Sequence, residues 1–200
     1  GAAQARCRAT AGRPVLGMEV CVIDGCGARV AADGRSVGEV CIRGETVFEG
    51  YGGAGVRDRS CFTDEGWFLT GDLATVDCDG YLTIVDRKKD MVLTGGENVY
   101  TAEVERVLDA HPAVLRSAVL GVPDELMGEL VKAVVHCQPG HEVTEQELRT
   151  WAASSLALFK VPAVWDFAAI PLSGTGKVVK SGLRHAPAVV ASPVPPPALP

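Results

Sequence analysis

A short charged stretch near the middle of the chain separates two portions with different residue patterns. It reads Asp86-Arg-Lys-Lys-Asp90. Before it, apolar and polar residues alternate in short runs, such as residues 18–23 and 38–43, and Asp-Gly pairs lie between or after the runs. This pattern is typical of half-buried strands joined by tight turns. The sequence therefore predicts a small β-rich portion that ends near the charged stretch.

After the charged stretch the pattern changes to helices mixed with strands. Residues 101–109 have apolar side chains at helical spacing, and residues 117–122, 130–135 and 164–170 read as strands. Residues 144–156 predict a second helix, because Thr144 followed by Glu147 forms a capping box. The chain as a whole is expected to have an α+β fold, with a short mixed sheet and two to three helices in its second portion.

The composition excludes several classes of protein. A formal net charge of −6 at pH 7 argues against a nucleic-acid partner. No apolar run approaches the roughly 20 residues of a membrane span, and the first residues form no signal core. The seven cysteines are scattered without a CxxC pair, so we expect buried reduced thiols, no disulfide framework and no metal site. We expect an intracellular, cytoplasmic location, with an organelle left open.

Asp72 is the first candidate site residue. It follows a glycine in Trp67-Phe-Leu-Thr-Gly-Asp-Leu73. A carboxylate beside such a turn can accept hydrogen bonds from two vicinal hydroxyls, as on a ribose. The alternative is an Asx turn, in which Asp72 binds its own backbone.

Arg87 lies fifteen residues after Asp72, so a hairpin could bring both to one nucleotide. The planar guanidinium suits phosphate or hydroxyl recognition. Gly95 and Gly96 would let the backbone approach a ligand closely. The alternative is an exposed charged hairpin followed by a flexible turn.

Lys177 ends the third candidate segment, Pro171-Leu-Ser-Gly-Thr-Gly-Lys177. A lysine flanked by glycine on a loop can be presented to an anionic centre. The segment is not a Walker phosphate loop, because Pro171 occupies the first glycine position and Val178 replaces Ser or Thr. The alternative is an ordinary surface lysine.

Taken in order and spacing, these segments resemble the adenylate-forming, or AMP-binding, superfamily over residues 11–184. The series is Gly38-Glu-Val-Cys-Ile-Arg-Gly44, Thr70-Gly-Asp72, Asp86-Arg-x-Lys-Asp90, Gly95-Gly-Glu-Asn98, Glu103-Val-Glu105 and Gly174-Thr-Gly-Lys177. The segment Gly95-Gly-Glu-Asn-Val-Tyr100 resembles acyl-CoA synthetases more than the adenylation domains of peptide synthetases.

The resemblance implies a role for each candidate residue. Asp72 would hold the ribose hydroxyls of AMP, Arg87 would reach the ribose and phosphate, and Ile84 would pack near the nucleotide. Lys89 would lie at the hinge, and Gly95 and Gly96 would admit the pantetheine arm of CoA. Lys177 would be the catalytic lysine of adenylation.

The resemblance also implies a domain organisation. Residues 1–85 would be the last β subdomain of the large AMP-binding domain, and residues 86–89 would be the hinge. Residues 90–186 would be the small mobile C-terminal domain, followed by a proline-rich disordered tail over residues 187–200. Nothing in the sequence matches the phosphate loop, the Tyr-Gly-x-Thr-Glu-type motif or the acyl pocket of the family, so the chain is expected to be a fragment that is inactive alone.

The implied activity is ATP-dependent activation of a carboxylic acid, fatty or other, to acyl-AMP, followed by thioester formation with CoA. Mg²⁺ would accompany ATP without a ligand from this chain, and the N-terminal adenylating domain would act in cis or in trans. Two alternatives remain open: the end of an adenylation domain that serves a carrier protein, and a non-catalytic remnant or interaction module.

Overall fold

The computed structural model describes residues 9–53 and 56–183. The chain divides into two compact units, Gly1–Lys89 and Asp90–Pro200. Two α-helices and mostly antiparallel sheets make up the described residues, so the predicted α+β fold class is confirmed. No helix in these two ranges is long and apolar enough to cross a membrane.

The first unit is built on a four-stranded antiparallel sheet and one separate hairpin. The sheet has the order β1 (Met18–Ile23), β2 (Gly38–Gly44), β5 (Phe68–Val76), β6 (Leu82–Arg87), and the hairpin pairs β3 (Tyr51–Gly53) with β4 (Val56–Asp58). Alternation along the strands produces two apolar clusters. One contains Cys21, Cys41 and Trp67, and the other is built around Val22 and Val40.

The second unit is built on a five-stranded mixed sheet. Its elements are β7 (Val92–Thr94), β8 (Glu97–Val99), α1 (Thr101–Asp109), β9 (Val114–Asp124), β10 (Gly128–Cys137), α2 (Glu145–Ala153) and β11 (Val164–Phe167). Strand β10 pairs with β9 and β7 in antiparallel fashion and with β11 in parallel. A short 3-10 helix, Leu158–Lys160, precedes β11, and another, Lys180–Gly182, follows it.

Apolar side chains cover both faces of this sheet. One cluster joins the strands to the two helices through Val104 and Leu108 of α1 and Leu148 of α2. A second cluster joins Ala118, Leu120 and Val134 to Ile170 and Leu183 of the C-terminal segment. That segment, which includes Lys177, is therefore fastened to the sheet at both ends by buried apolar residues.

Several predicted elements are confirmed, and a few bounds differ. The capping box at the start of α2 is present: the Glu147 N–H donates to Thr144 Oγ1 at 3.3 Å, and the Thr144 N–H donates to Glu147 Oε2 at 2.8 Å. Helix α2 ends at Ala153, because residues 154–156 form a turn, and β11 ends at Phe167 rather than at residue 170.

The cysteines are less uniformly buried than expected. Cys21 and Cys41 are buried, but Cys26 and Cys78 are exposed. Both exposed thiols lie in the turns that follow β1 and β5, near aspartates whose side chains accept backbone hydrogen bonds in those turns. Burial, reinforced by the neighbouring Cys21 thiol, raises the pKa of Cys41 to about 12, so its thiol stays protonated at neutral pH.

Candidate functional site

Asp72 and Arg87 face each other on neighbouring strands. They are paired positions of β5 and β6, and Arg87 Nε lies 2.9 Å from Asp72 Oδ1. The two side chains are 34% and 59% exposed. Solvent screens such a pair, so it contributes little to stability. The pair presents a carboxylate and a guanidinium together at the surface. The guanidinium is planar and has five N–H donors.

The glycine turn predicted before Asp72 is wrong, because Gly71 and Asp72 lie within strand β5, which pairs with β6. Glu39 holds this part of the strand from behind. The buried Glu39 carboxylate accepts a hydrogen bond from the Gly71 N–H at 3.2 Å and pairs with Lys88 Nζ at 2.7 Å. The Lys88 N–H in turn donates to the Gly71 carbonyl at 2.8 Å. Gly71 has a φ of 74°, which favours glycine. These contacts fix the backbone on which the Asp72 side chain stands.

Neither Glu39 nor Lys88 is a predicted site residue, although Lys88 falls within the predicted hinge, residues 86–89. The only local feature that distinguishes Glu39 is its position, as a carboxylate, near the start of a predicted alternating strand. Its partner lies 49 residues further along the chain, so the contact depends on strand pairing that the local pattern does not encode.

Ile84 and Lys89 lie on either side of Arg87. Ile84 is paired with Ala74 on β5 beside a β-bulge, and its side chain is 47% exposed. Lys89 is exposed, follows the end of β6, and is the last residue of the first unit. Because Lys88 is held by Glu39 and Gly71, the fixed backbone of this unit extends to Lys88.

Gly95 and Gly96 form the two-residue turn between β7 and β8. Their φ angles are 57° and 86°, the combination of a type I′ turn, which glycine adopts without strain. A Cβ on Gly95 would lie 2.6 Å from the terminal methyl of Met127, whereas a Cβ on Gly96 would meet no atom within 4 Å. Gly96 is therefore the position at which this turn presents bare backbone to open space.

Lys177 lies on an exposed hairpin loop. The loop is closed by a bridge between Leu172 and Val178 and by a hydrogen bond from the Ser173 N–H to the Lys177 carbonyl at 2.8 Å. The Lys177 N–H donates to Ser173 Oγ at 3.1 Å. The backbone at Lys177 is thus ordered, while its side chain is exposed to solvent.

The candidate residues fall in both units. The first unit holds Asp72, Ile84, Arg87 and Lys89, and the second holds Gly95, Gly96 and Lys177. Within residues 9–53 and 56–183, no group of three or more His, Cys, Asp or Glu side chains could hold a metal ion.

Comparison with known proteins places this geometry in context. Residues 103–177 match the family model described as the AMP-binding enzyme C-terminal domain. The chain is 42% identical to 4-hydroxybutyrate–CoA ligase 2 from Metallosphaera sedula over 182 residues, which is 91% of this chain and 33% of that protein. It is also 41% identical to the fatty acid–[acyl-carrier-protein] ligase ScoC from Streptomyces coeruleorubidus, over 87% of this chain and 33% of that protein.

The fold is similar to that of solved enzymes. The o-succinylbenzoate CoA synthetase MenE from Bacillus subtilis, in complex with its acyl-adenylate intermediate, matches with a TM-score of 0.80 and 30% identity. The match covers 92% of this chain and 37% of that one. The chain thus spans about one third of the length of the curated relatives it matches.

Proposed function

The chain belongs to the adenylate-forming, AMP-binding superfamily, as the C-terminal portion of a protein of the acyl-CoA ligase type, and from this membership we propose that it serves an enzyme that activates carboxylic acids. The observation that carries the proposal is the Asp72–Arg87 pair, held at the sheet surface by the Glu39 and Lys88 contacts. The activity also needs a large N-terminal adenylating domain, supplied in cis or in trans.

In this proposal the first unit binds the nucleotide. Asp72 accepts hydrogen bonds from the two ribose hydroxyls, since an ionised carboxylate has only acceptor sites. Arg87 donates to the ribose and the α-phosphate through the guanidinium N–H groups that face solvent. Ile84 packs near the nucleotide with its half-exposed side chain. The 2.9 Å pair preorganises both polar groups before AMP or ATP binds.

Lys177 serves the adenylation step. A carboxylate oxygen of the acid attacks the α-phosphorus of ATP, a new P–O bond forms, and pyrophosphate leaves. Negative charge concentrates on the phosphoryl oxygens and the carboxylate as they approach. An ammonium held between the two stabilises that charge, and a preorganised group of this kind contributes on the order of 10²–10³ in rate.

The second half-reaction transfers the acyl group. The thiol of CoA attacks the acyl carbonyl of acyl-AMP, a thioester forms, and AMP leaves. The open backbone at Gly96 supports a path for the pantetheine arm, because a side chain there would occupy the space that the arm needs. We assign Lys89 to the hinge about which the small domain turns between the two half-reactions. Mg²⁺ would accompany ATP, and no residue of this chain is assigned to it.

ATP–pyrophosphate exchange tests the proposed function. The chain, joined to or mixed with a large adenylating domain, is assayed against a panel of short, aromatic and long-chain carboxylic acids. We expect exchange with at least one acid and a loss of about 10²–10³-fold in Lys177→Ala. Lys160→Met serves as the control, because Lys160 lies on the 3-10 helix Leu158–Lys160 and not on the loop of Lys177. If no acid gives exchange while AMP still binds, the chain is a non-catalytic remnant or interaction module.

The acceptor needs a separate measurement, because the similarity to ScoC favours a second candidate, a carrier protein. Acyl-AMP is offered with CoA or with a phosphopantetheinyl carrier protein, and the thioester is quantified. Faster transfer to CoA supports the acyl-CoA ligase, whereas faster transfer to the carrier protein would establish the alternative.

A further inference from the structure

A partly buried ion pair holds the loop that contains Lys177. Lys180 begins the 3-10 helix Lys180–Gly182, three residues after Lys177. Its Nζ lies 2.7 Å from Glu105 Oε1 and 2.9 Å from Thr101 Oγ1. The Lys180 and Glu105 side chains are only 18% and 22% exposed, so solvent and salt screen this pair less than the surface pairs.

The Glu105 carboxylate joins three parts of the second unit. It belongs to α1, it accepts a hydrogen bond from the Val119 N–H of β9 at 2.8 Å, and it binds Lys180 of the C-terminal segment. Thr101, the other acceptor for Lys180, is fully buried in the first turn of α1. The position of Lys180 is therefore fixed relative to both the helix and the sheet.

Because of its neighbouring residues, the ion pair between Lys180 and Glu105 determines the position of the loop that contains Lys177. Ile170 and Leu183 anchor the segment in the apolar cluster on the second sheet face, and Val178 packs against that cluster. Apolar contacts hold a segment against the sheet but allow it to shift along the sheet surface. A charge-assisted hydrogen bond is directional, so it also prevents that shift. With Lys180 held, the backbone of Lys177 has only two residues between itself and a fixed point.

We propose that Lys180 and Glu105 are positioning residues for Lys177. This inference rests on the role proposed above for Lys177 in acyl-AMP formation. The clamp of Lys180, Glu105 and Thr101 keeps the loop in register so that the Lys177 ammonium is presented at a defined point. Displacement of a catalytic group by about 1 Å can reduce the rate on the order of 10²-fold.

The chain offers a matched control on the same helix. Glu103 Oε2 lies 2.7 Å from Lys160 Nζ, and these side chains are 31% and 20% exposed. This pair has the same length and similar burial, but it links α1 to the 3-10 helix Leu158–Lys160 and not to the loop of Lys177. Lys160→Met therefore removes an equivalent ion pair without releasing the loop.

Hydrogen exchange on the 200-residue chain tests the clamp itself, independently of any catalytic activity. We expect Lys180→Met and Glu105→Gln to speed amide exchange at Ser173, Gly176 and Lys177 about tenfold, as loss of a charge-assisted hydrogen bond predicts. Lys160→Met leaves these amides unchanged. Equal protection of the loop in Lys180→Met and in the unsubstituted chain would refute the clamp, whatever the chain does chemically.

Measurement of the two half-reactions separately tests the positioning role. In the chain combined with a large adenylating domain, Lys180→Met should lower kcat for acyl-AMP formation about 10²-fold. Thioester formation from supplied acyl-AMP should stay unchanged, and Lys180→Arg should restore most of the adenylation rate. An equal fall in both half-reactions would reveal a purely structural role and overturn the inference. So would unchanged adenylation in Lys177→Ala, because no catalytic group would then need positioning.

Discussion

Lys132 on β10 has a side chain that is only 1% exposed, although it bears a charge. Its Nζ lies 2.6 Å from Asp166 Oδ2 on the parallel strand β11, and the Asp166 side chain is 12% exposed. Asp166 Oδ1 is buried and has no hydrogen-bond partner among the described residues. The apolar segment over residues 130–135 predicted the strand but not this pair, because Asp166 is 34 positions away and meets Lys132 only through the parallel pairing.

Substitution of one partner should destabilise the chain far more than substitution of both. Lys132→Met leaves an unpaired carboxylate in a buried site, which costs about 3–5 kcal/mol, whereas apolar replacement of both partners is often neutral. We expect the double variant Lys132→Met, Asp166→Leu to recover most of the loss. Urea denaturation followed by circular dichroism measures both variants. Equal destabilisation in the single and double variants would contradict this account.

Among the elements, those defined by local signals were the most predictable. The bounds of α1 and the capping box of α2 follow from residues three or four apart, and both are confirmed. The hairpins β3–β4 and β7–β8 were not predicted, because their strands have only three residues each and show no clear alternation. A strand of that length is stabilised by its partner and not by its own pattern.

The N-cap of α2 should depend on pH through Glu147. Hydrogen bonds from the Thr144 N–H and hydroxyl hold the pKa of the Glu147 carboxyl below its ordinary value of 4.5. A lowered pKa in the folded state means that the stabilisation is complete above about pH 4.5 and is lost as the pH falls through the lowered pKa. Stability of α2 should therefore decline in the acid range below 4.5.

Thr144→Ala tests this cap. The substitution should cost about 1 kcal/mol, which is typical for the loss of an N-cap hydroxyl, and it should move the pKa of Glu147 toward its ordinary value. Thr150→Ala is the control, because the Thr150 hydroxyl donates to the Gln146 carbonyl within the same helix at 2.8 Å. NMR titration of the Glu147 carboxyl measures the pKa. An unchanged pKa in Thr144→Ala would refute the role of the cap.

At the scale of the whole molecule, the strand order within each unit did not follow from the local pattern of the sequence. Strand β2 pairs with β5 across the intervening hairpin, and β10 pairs with strands from both earlier and later in the chain. Such pairing is set by tertiary packing, which one-dimensional alternation does not encode. The contact between Glu39 and Lys88 was unpredictable for the same reason.

The second unit should fold without the first. Its sheet is built from its own strands, and its apolar clusters draw only on residues 92–183. We expect residues 90–183, produced alone, to give dispersed amide resonances that superimpose on those of the same residues in the 200-residue chain. A collapsed, poorly dispersed spectrum would show that this segment depends on the rest of the chain.

The placement of the junction has a consequence for inheritance. Strand β6 ends at Arg87 and β7 begins at Val92, so only four residues connect one completed sheet to the next. A recombination event between related genes at these codons would exchange a whole unit and leave every strand with its original neighbours. The two units could thus be reassorted among lineages, and each could diverge under selection at its own pace.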